Sequence, residues 1–148
     1  MRHPAIFTAS WCLLVLLAVA LSLLSLLSAG SALRRAPDAI SHGYSIEKVA
    51  ETDAEAADAM RGRRLTAAAW AFGCALFLGF IVLGPYRRGE RWAWWALLVA
   101  FGSVQVLSLL RTPVLGLRQG ASAALIPLVI LAVGLLLGAP RIFGSEKP

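Results

Sequence analysis

The first long stretch of the chain, PAIFTASWCLLVLLAVALSLLSLLSAGSAL at residues 4–33, contains no charged side chain. An α-helix needs about 20 apolar residues to cross a hydrocarbon layer about 30 Å thick, and this stretch exceeds that length. It is also about twice as long as the apolar core of a secretion signal, which has about 7–15 residues. We therefore expect a retained membrane anchor.

Three further apolar stretches follow, and the four together predict an integral membrane protein. The spans lie at about residues 5–32, 65–86, 92–110 and 121–139. Hydrophobic residues make up 59% of the chain and charged residues only 15%, more apolar material than a soluble domain of 148 residues can bury. Because short connections make neighbouring helices antiparallel, the predicted fold is one all-α membrane domain over residues 1–148, an up-down four-helix bundle.

One sizeable polar segment, residues 33–64, separates the first two spans. Ser45 is a suitable N-cap, the acidic residues come early and the arginines gather at the end, an order that suits the helix dipole. The polar loop is therefore predicted to contain a short helix. This helix either lies on the membrane surface or is a bent extension of span two past Gly62.

The positive charges lie at the ends of the spans. A net charge of +6 suggests nucleic acid, but arginines at span ends are typical of cations that reach lipid headgroups, so no nucleic-acid partner is predicted. The side of the termini carries six cations and the opposite side eight. The cations of the first loop are mixed with acids, whereas RRGER at residues 87–91 is compact. We predict cytoplasmic termini.

Small residues recur at helical spacing in several spans, and in lipid such residues let helix backbones approach closely. The predicted packing residues are Ala18, Ser22, Ser25 and Ala29 in span one, Ala93, Ala96, Ala100 and Ser103 in span three, and Gly134 and Gly138 in span four. Gln105 in span three is the deepest strongly polar side chain. We expect it to hydrogen-bond between helices rather than to line a substrate path.

The stretch GPYRRGERWAWWAL, residues 84–97, joins spans two and three. Gly84 and Pro85 end span two, because proline disfavours helix at the residue before it. The side chains that follow predict an anchor at the depth of the lipid headgroups: Tyr86, Arg87, Arg88, Arg91, Trp92, Trp94 and Trp95. Alternatively, the guanidiniums beside the indole rings grip one anionic headgroup.

Residues that could carry chemistry are sparse in the sequence. The only histidines are His3 and His42, which form no metal-ligand spacing. Cys12 and Cys74 lie at depths too different for a disulfide. We predict no catalytic residue, no metal and no cofactor.

Two motifs, RGRRLTAAAWAFG at residues 61–73 and PYRRGERWAWWALL at residues 85–98, carry a family resemblance. Over roughly residues 60–110 the chain is similar to small four-span bacterial membrane proteins, loosely those of the DoxX-like groups. The resemblance implies an α-helical bundle in a bacterial inner membrane. It transfers no catalytic residue.

Three functions remain open from the sequence. The first is a non-enzymatic accessory subunit or small packing or scaffold protein that contacts the bilayer and either a membrane protein partner or further copies of itself. The second is a small membrane enzyme or binding protein for a lipid or lipophilic substrate, in which the loop arginines converge with His42, Tyr44 and Glu47. The third is a small transporter, which the lack of a charged residue inside any span disfavours.

Overall fold

The computed structural model describes residues 4–35, 39–41, 44–115 and 121–144 of the chain. Six α-helices, two π-helical segments and two short strands are found in these residues. The α-helices are α1 (Pro4–Leu33), α2 (Ile46–Thr52), α3 (Ala54–Ile81), α4 (Arg91–Ala96), α5 (Gly102–Leu115) and α6 (Ala121–Phe143). The π-helical segments are π1 (Val82–Tyr86) and π2 (Leu97–Phe101), and the strands are β1 (Ala39–Ser41) and β2 (Tyr44–Ser45).

Four helical stretches are long and apolar enough to cross a membrane. They are Ala5–Leu33, Ala54–Tyr86, Arg91–Leu110 and Ala124–Phe143. In lipid every backbone N–H and C=O must be bonded within the chain, and a continuous helix satisfies this requirement. The all-α membrane fold of four spans is therefore confirmed, and the chain is a multi-pass membrane protein.

The polar segment contains the predicted short helix, α2. The Ser45 side chain accepts a hydrogen bond from the Lys48 backbone N–H and so caps α2, as the sequence indicated. The chain then leaves helical geometry at Asp53, whose carboxylate accepts from the Ala56 N–H and caps α3. The helix of the second span consequently begins at Ala54, within the segment predicted as a loop. Before α2, the strands β1 and β2 pair antiparallel.

The two π-helical segments lie on either side of the turn at residues 87–90. Pro85 inside π1 has no backbone N–H to donate, and the Arg87 N–H reaches the Val82 carbonyl five residues back. π2 joins α4 to α5. A π turn places an extra residue in one turn of helix. Side chains beyond π2 therefore face a different direction from the one that an uninterrupted α-helix would give them.

The chain forms two compact units. The first, here called the bundle unit, is formed by Met1–Val19 and Leu76–Pro148, and it contains parts of all four spans. In it α1 runs antiparallel to α6, since Phe7 contacts Arg141 while Leu14 contacts Gly134. Its most deeply buried side chains are Ser10, Leu14, Leu78, Val82, Tyr86, Ala93, Leu97 and Leu135.

The second, here called the loop unit, is Ala20–Ala75. It contains the end of α1, the paired strands, α2 and the first half of α3. A hydrogen bond of 3.2 Å from Arg64 Nε to Ser28 Oγ links α3 to α1 in this unit. Ile46 of α2 and Ala57 of α3 are buried in it.

Candidate functional site

The turn between spans two and three is fixed by its backbone. Gly89 has a φ of 84°, in the left-handed region that glycine adopts at least cost. Its N–H donates to the Tyr86 carbonyl at 2.8 Å. Glu90 is extended, and its carbonyl accepts from the Ala93 N–H at the start of α4. The side chains of Arg87 and Arg88 thus leave a defined turn.

Two arginines of the bundle unit lie over aromatic rings of α1. The Arg87 guanidinium carbon is 4.9 Å from the ring centroid of Trp11, and that of Arg141 is 4.3 Å from the centroid of Phe7. Each is a cation–π contact, worth about 0.5–1 kcal/mol at an exposed site and more where water is excluded. These contacts hold two otherwise exposed cations against the start of α1.

Tyr86 was assigned from the sequence to the aromatic belt, and the structure places it differently. Its side chain is completely buried in the bundle unit, where its ring stacks on Phe7 at 5.8 Å between centroids. Its hydroxyl lies 2.7 Å from Ser10 Oγ and 3.3 Å from the Gly134 carbonyl. In lipid the Tyr86 hydroxyl must form its hydrogen bonds within the protein, and these two oxygens are its partners. Tyr86 is therefore a packing residue, while the arginines after it form the surface.

The glycines of span four make room for these contacts. A side chain at Gly138 would overlap the Tyr86 hydroxyl and would come within 2.9 Å of Ser10 Oγ. A Cβ at Gly134 would lie 2.6 Å from Leu14 Cδ2. The predicted packing pair Gly134 and Gly138 thus faces α1 and π1 at close range.

The three tryptophans after the turn differ in their surroundings. Trp92 and Trp95 are exposed, and the Trp92 indole N–H donates to a Glu90 carboxylate oxygen. Trp94 is half-buried, and its indole N–H donates to the Leu135 carbonyl at 2.9 Å. Its ring also packs edge-on against Trp95 and Phe143, at 4.9 and 5.2 Å. Trp94 therefore joins α4 to α6, whereas Trp92 and Trp95 face outward.

Two further arginines complete this end of the bundle unit. Arg88 is exposed and lies 4.0 Å from Glu90, a weak ion pair. Arg91 donates through Nε to the Ile142 carbonyl at 3.4 Å. The group formed by Arg87, Arg88, Arg91 and Arg141 with Phe7, Trp11, Trp92 and Trp95 is here called the arginine–aromatic end.

The predicted packing residues of span one fall in both units. In the bundle unit Ala18 is buried, and a Cβ at Gly79 would lie 3.8 Å from it. In the loop unit Ser25 is buried and bonds the Leu21 carbonyl of its own helix. Ser22 and Ala29 are half-buried.

Of the four small residues predicted to pack in span three, the rest of the chain covers only the first two. Ala93 is buried and Ala96 half-buried, but Ala100 and Ser103 are exposed. The prediction assumed uninterrupted α-helical spacing. The π turn at Leu97–Phe101 instead changes which side of the helix is buried after it, and Gly102 is buried. The Gln105 side chain is half-buried and makes no hydrogen bond to the described part of the chain. The rest of this chain does not cover Ala100 and Ser103, and their assignment to helix packing stays a prediction.

The arginines of the loop unit do not all converge on one pocket. Asp58 pairs with Arg61 at 2.7 Å and with Arg35 at 3.6 Å, beside an open groove of about 210 Å³ lined by Ala32, Leu33 and Leu65. Arg64 instead bonds Ser28. His42, which the enzyme hypothesis included, lies outside the described residues.

The sequence also held residues of the site that were not selected from it. Phe7, Ser10, Trp11 and Leu14 are spaced three, one and three apart, which places them on one face of α1. Two aromatic rings and a hydroxyl on a single face near the end of a span are the signal that could have identified them. The sequence did not indicate that Arg141 contacts this face of α1.

Within residues 4–35, 39–41, 44–115 and 121–144, no group of three metal-binding side chains is found. The arginine–aromatic end is suited to binding an anion, because guanidinium groups are positively charged and donate several hydrogen bonds. Comparison with protein-family models, with curated proteins and with solved structures finds no match to this chain. Its function is therefore inferred from its own side chains.

Proposed function

We propose that this chain is a non-enzymatic membrane protein of the small packing or scaffold type, which binds anionic phospholipid through its arginine–aromatic end. One observation carries the proposal. Arg87 and Arg141 are held over the rings of Trp11 and Phe7, and neither pairs with a carboxylate in the part of the chain that the structure describes.

The chemistry of stacked guanidinium groups supports this function. A guanidinium that covers a ring face keeps its N–H groups at its edges, and these match the oxygens of a phosphate. Hydrogen bonds between Arg and phosphate are charge-assisted and about twice as strong as neutral ones. Because the rings already restrict both side chains, less rotamer entropy is lost when a phosphate binds.

The charge and position of the surface also support it. Arg87, Arg88, Arg91 and Arg141 outnumber Glu90, the one acid among the described residues of this end. Arg87 directly follows the second span, and Arg141 lies near the end of the fourth. Cations at this depth lie beside lipid phosphates, where basic side chains attract anionic headgroups by about 1 kcal/mol each.

The test compares two double variants that remove the same charge. Arg87→Gln/Arg141→Gln changes the stacked pair, and Arg34→Gln/Arg63→Gln changes two exposed arginines of the loop unit. Native mass spectrometry of the protein in mild detergent measures binding of phosphatidylglycerol and phosphatidylcholine. We expect the unmodified chain to prefer phosphatidylglycerol and only the first variant to lose about tenfold in affinity, as expected for about 1.4 kcal/mol. Equal losses in both variants, or no preference for the anionic lipid, would overturn the proposal.

We further propose a bacterial inner membrane, as the resemblance implies, with the termini in the cytoplasm. The compact group of arginines at residues 87–91 supports this orientation, because cations close to span ends favour the cytoplasmic side. Ser41→Cys and Arg88→Cys in a Cys12→Ala/Cys74→Ala background test it with a membrane-impermeant maleimide. In intact cells Ser41→Cys should react and Arg88→Cys should not; the reverse pattern would refute the orientation.

A further inference from the structure

The two stacked arginines are presented at successive turns of one helix. Phe7 and Trp11 are four residues apart in α1, so their side chains share a face with Cβ atoms about 6 Å apart. Arg141 lies over the first ring and Arg87 over the second. One guanidinium therefore lies over each of the two rings, along one face of α1.

The two arginines reach α1 from two different elements, each held in place by its own contacts. The Arg87 N–H bonds the Val82 carbonyl of π1, and Tyr86 next to it is completely buried. Arg141 precedes Ile142, which is buried and whose carbonyl accepts from Arg91. Phe7 is also covered by the Tyr86 ring. The placement of each cation over its ring is thus fixed by the packing of three elements.

Two guanidiniums held over two rings can bind two anionic groups of one ligand. Two parallel N–H groups of one guanidinium can bind two oxygens of one phosphate. The second guanidinium, over the other ring of α1, is then available to bind a second phosphate. If both phosphates belong to one molecule, the second contact forms at a high effective concentration and affinity rises steeply.

We propose, resting on the proposed function, that the arginine–aromatic end binds one lipid molecule that carries two phosphodiester groups. One phosphate is bound by Arg141 beside Phe7 and the other by Arg87 beside Trp11. The occupant is a lipid and not a soluble diphosphate, because both arginines adjoin membrane spans whose outer faces are apolar. Cardiolipin, in which a glycerol bridge joins two phosphodiesters, is the probe with this chemistry.

The experiment measures dissociation constants of the detergent-solubilised full chain for cardiolipin, phosphatidylglycerol and phosphatidylcholine. For the unmodified chain we expect cardiolipin to bind at least about tenfold more tightly than phosphatidylglycerol at equal phosphate concentration. Arg87→Gln, Arg141→Gln and Trp11→Leu should each reduce this ratio to about one, since each leaves one phosphate without its guanidinium in place. Arg63→Gln is the matched control and should keep the ratio. Inorganic pyrophosphate should not displace cardiolipin.

Each outcome distinguishes this inference from the function on which it rests. A ratio near one in the unmodified chain overturns the two-phosphate site, while a preference for both anionic lipids over phosphatidylcholine preserves the proposed function. Failure of both anionic lipids to bind better than phosphatidylcholine overturns both. Displacement by pyrophosphate at equal concentration would make the ligand a soluble diphosphate and would also refute the inference. Circular dichroism of every variant verifies that it is folded.

Discussion

Ser10 and Tyr86 are 76 residues apart in the sequence, and their side-chain oxygens lie 2.7 Å apart inside the bundle unit. Ser10 donates to the Gly134 carbonyl at 2.7 Å, which leaves its oxygen free to accept from the Tyr86 hydroxyl. One hydroxyl pair therefore ties the first, second and fourth spans together. Hydrogen bonds between membrane helices contribute about 0.6 kcal/mol on average, and up to about 1.7 kcal/mol.

Removing either hydroxyl should have a small effect, because the remaining one keeps a partner. In Ser10→Ala the Tyr86 hydroxyl still has the Gly134 carbonyl at 3.3 Å, and in Tyr86→Phe the Ser10 hydroxyl still donates to it. We expect each variant to lose about 0.6–1.7 kcal/mol in the free energy of unfolding, measured by sodium dodecyl sulfate titration in mild detergent. The double variant should lose less than the sum. Strict additivity would show that the two hydroxyls do not interact.

Gly138→Ala should be much more harmful than its size suggests. Its methyl group would overlap the Tyr86 hydroxyl, and the overpacked bundle should lose about 1–3 kcal/mol, seen as a lower melting temperature. Gly102→Ala is the matched control, because a Cβ at this buried helical glycine meets no atom within 4 Å. Tyr86→Phe should restore part of the stability of Gly138→Ala by removing the overlapping oxygen. The absence of any rescue would argue against this contact.

The π turn at Leu97–Phe101 can be tested with two equal substitutions on the same span. Ala93 is completely buried and Ala100 is exposed, although the sequence assigned both to one packing stripe. Ala93→Leu should therefore cost about 1–3 kcal/mol of unfolding free energy through overpacking. Ala100→Leu should change it by less than about 0.5 kcal/mol, as surface substitutions do. Equal losses from the two substitutions would indicate that Ala93 and Ala100 lie on one buried face, as in an uninterrupted α-helix.

Trp94 should contribute to stability in a way that other tryptophans do not. Trp94→Phe keeps an aromatic ring beside Phe143 but removes the indole donor to the Leu135 carbonyl, and we expect a loss of about 1 kcal/mol. Trp70 is 74% exposed, so Trp70→Phe serves as the control with little expected change. Thermal unfolding in detergent compares the two variants. A larger loss from Trp70→Phe would contradict the role of Trp94.

Asp53 separates α2 from α3, and its removal should affect the start of α3 locally. Asp53→Ala loses the cap on the Ala56 N–H, a change worth about 1 kcal/mol. Hydrogen exchange of the amides at residues 54–58 should become faster, because the first turn frays. Glu51→Ala removes an equal charge near the end of α2 without removing a cap, and it should leave these amides unchanged. Equal acceleration in both variants would refute the capping role.

The sequence was sufficient to predict those elements whose structure depends only on residues within the same segment. The apolar lengths predicted four spans, and the short helix after Ser45 is found as α2. The cap at Asp53 and the π turn at Leu97–Phe101 were missed, because their boundaries depend on single hydrogen bonds. Ala100 and Ser103 show the consequence: one extra residue in a turn is invisible to a spacing argument but redirects every side chain after it.

The sequence by itself determined that lipid surrounds this chain, because each long apolar stretch would be costly in water whatever its neighbours are. It also determined that the arginines lie at the ends of the spans, since a charge is expensive in hydrocarbon. Only the tertiary structure decided that Tyr86 is buried against Ser10 while Arg87, the next residue, lies over Trp11. Lipid solvates an apolar face about as well as another helix does, so hydrophobicity does not select which faces meet. Close fit at Gly134 and Gly138, together with a few buried hydrogen bonds, makes that selection.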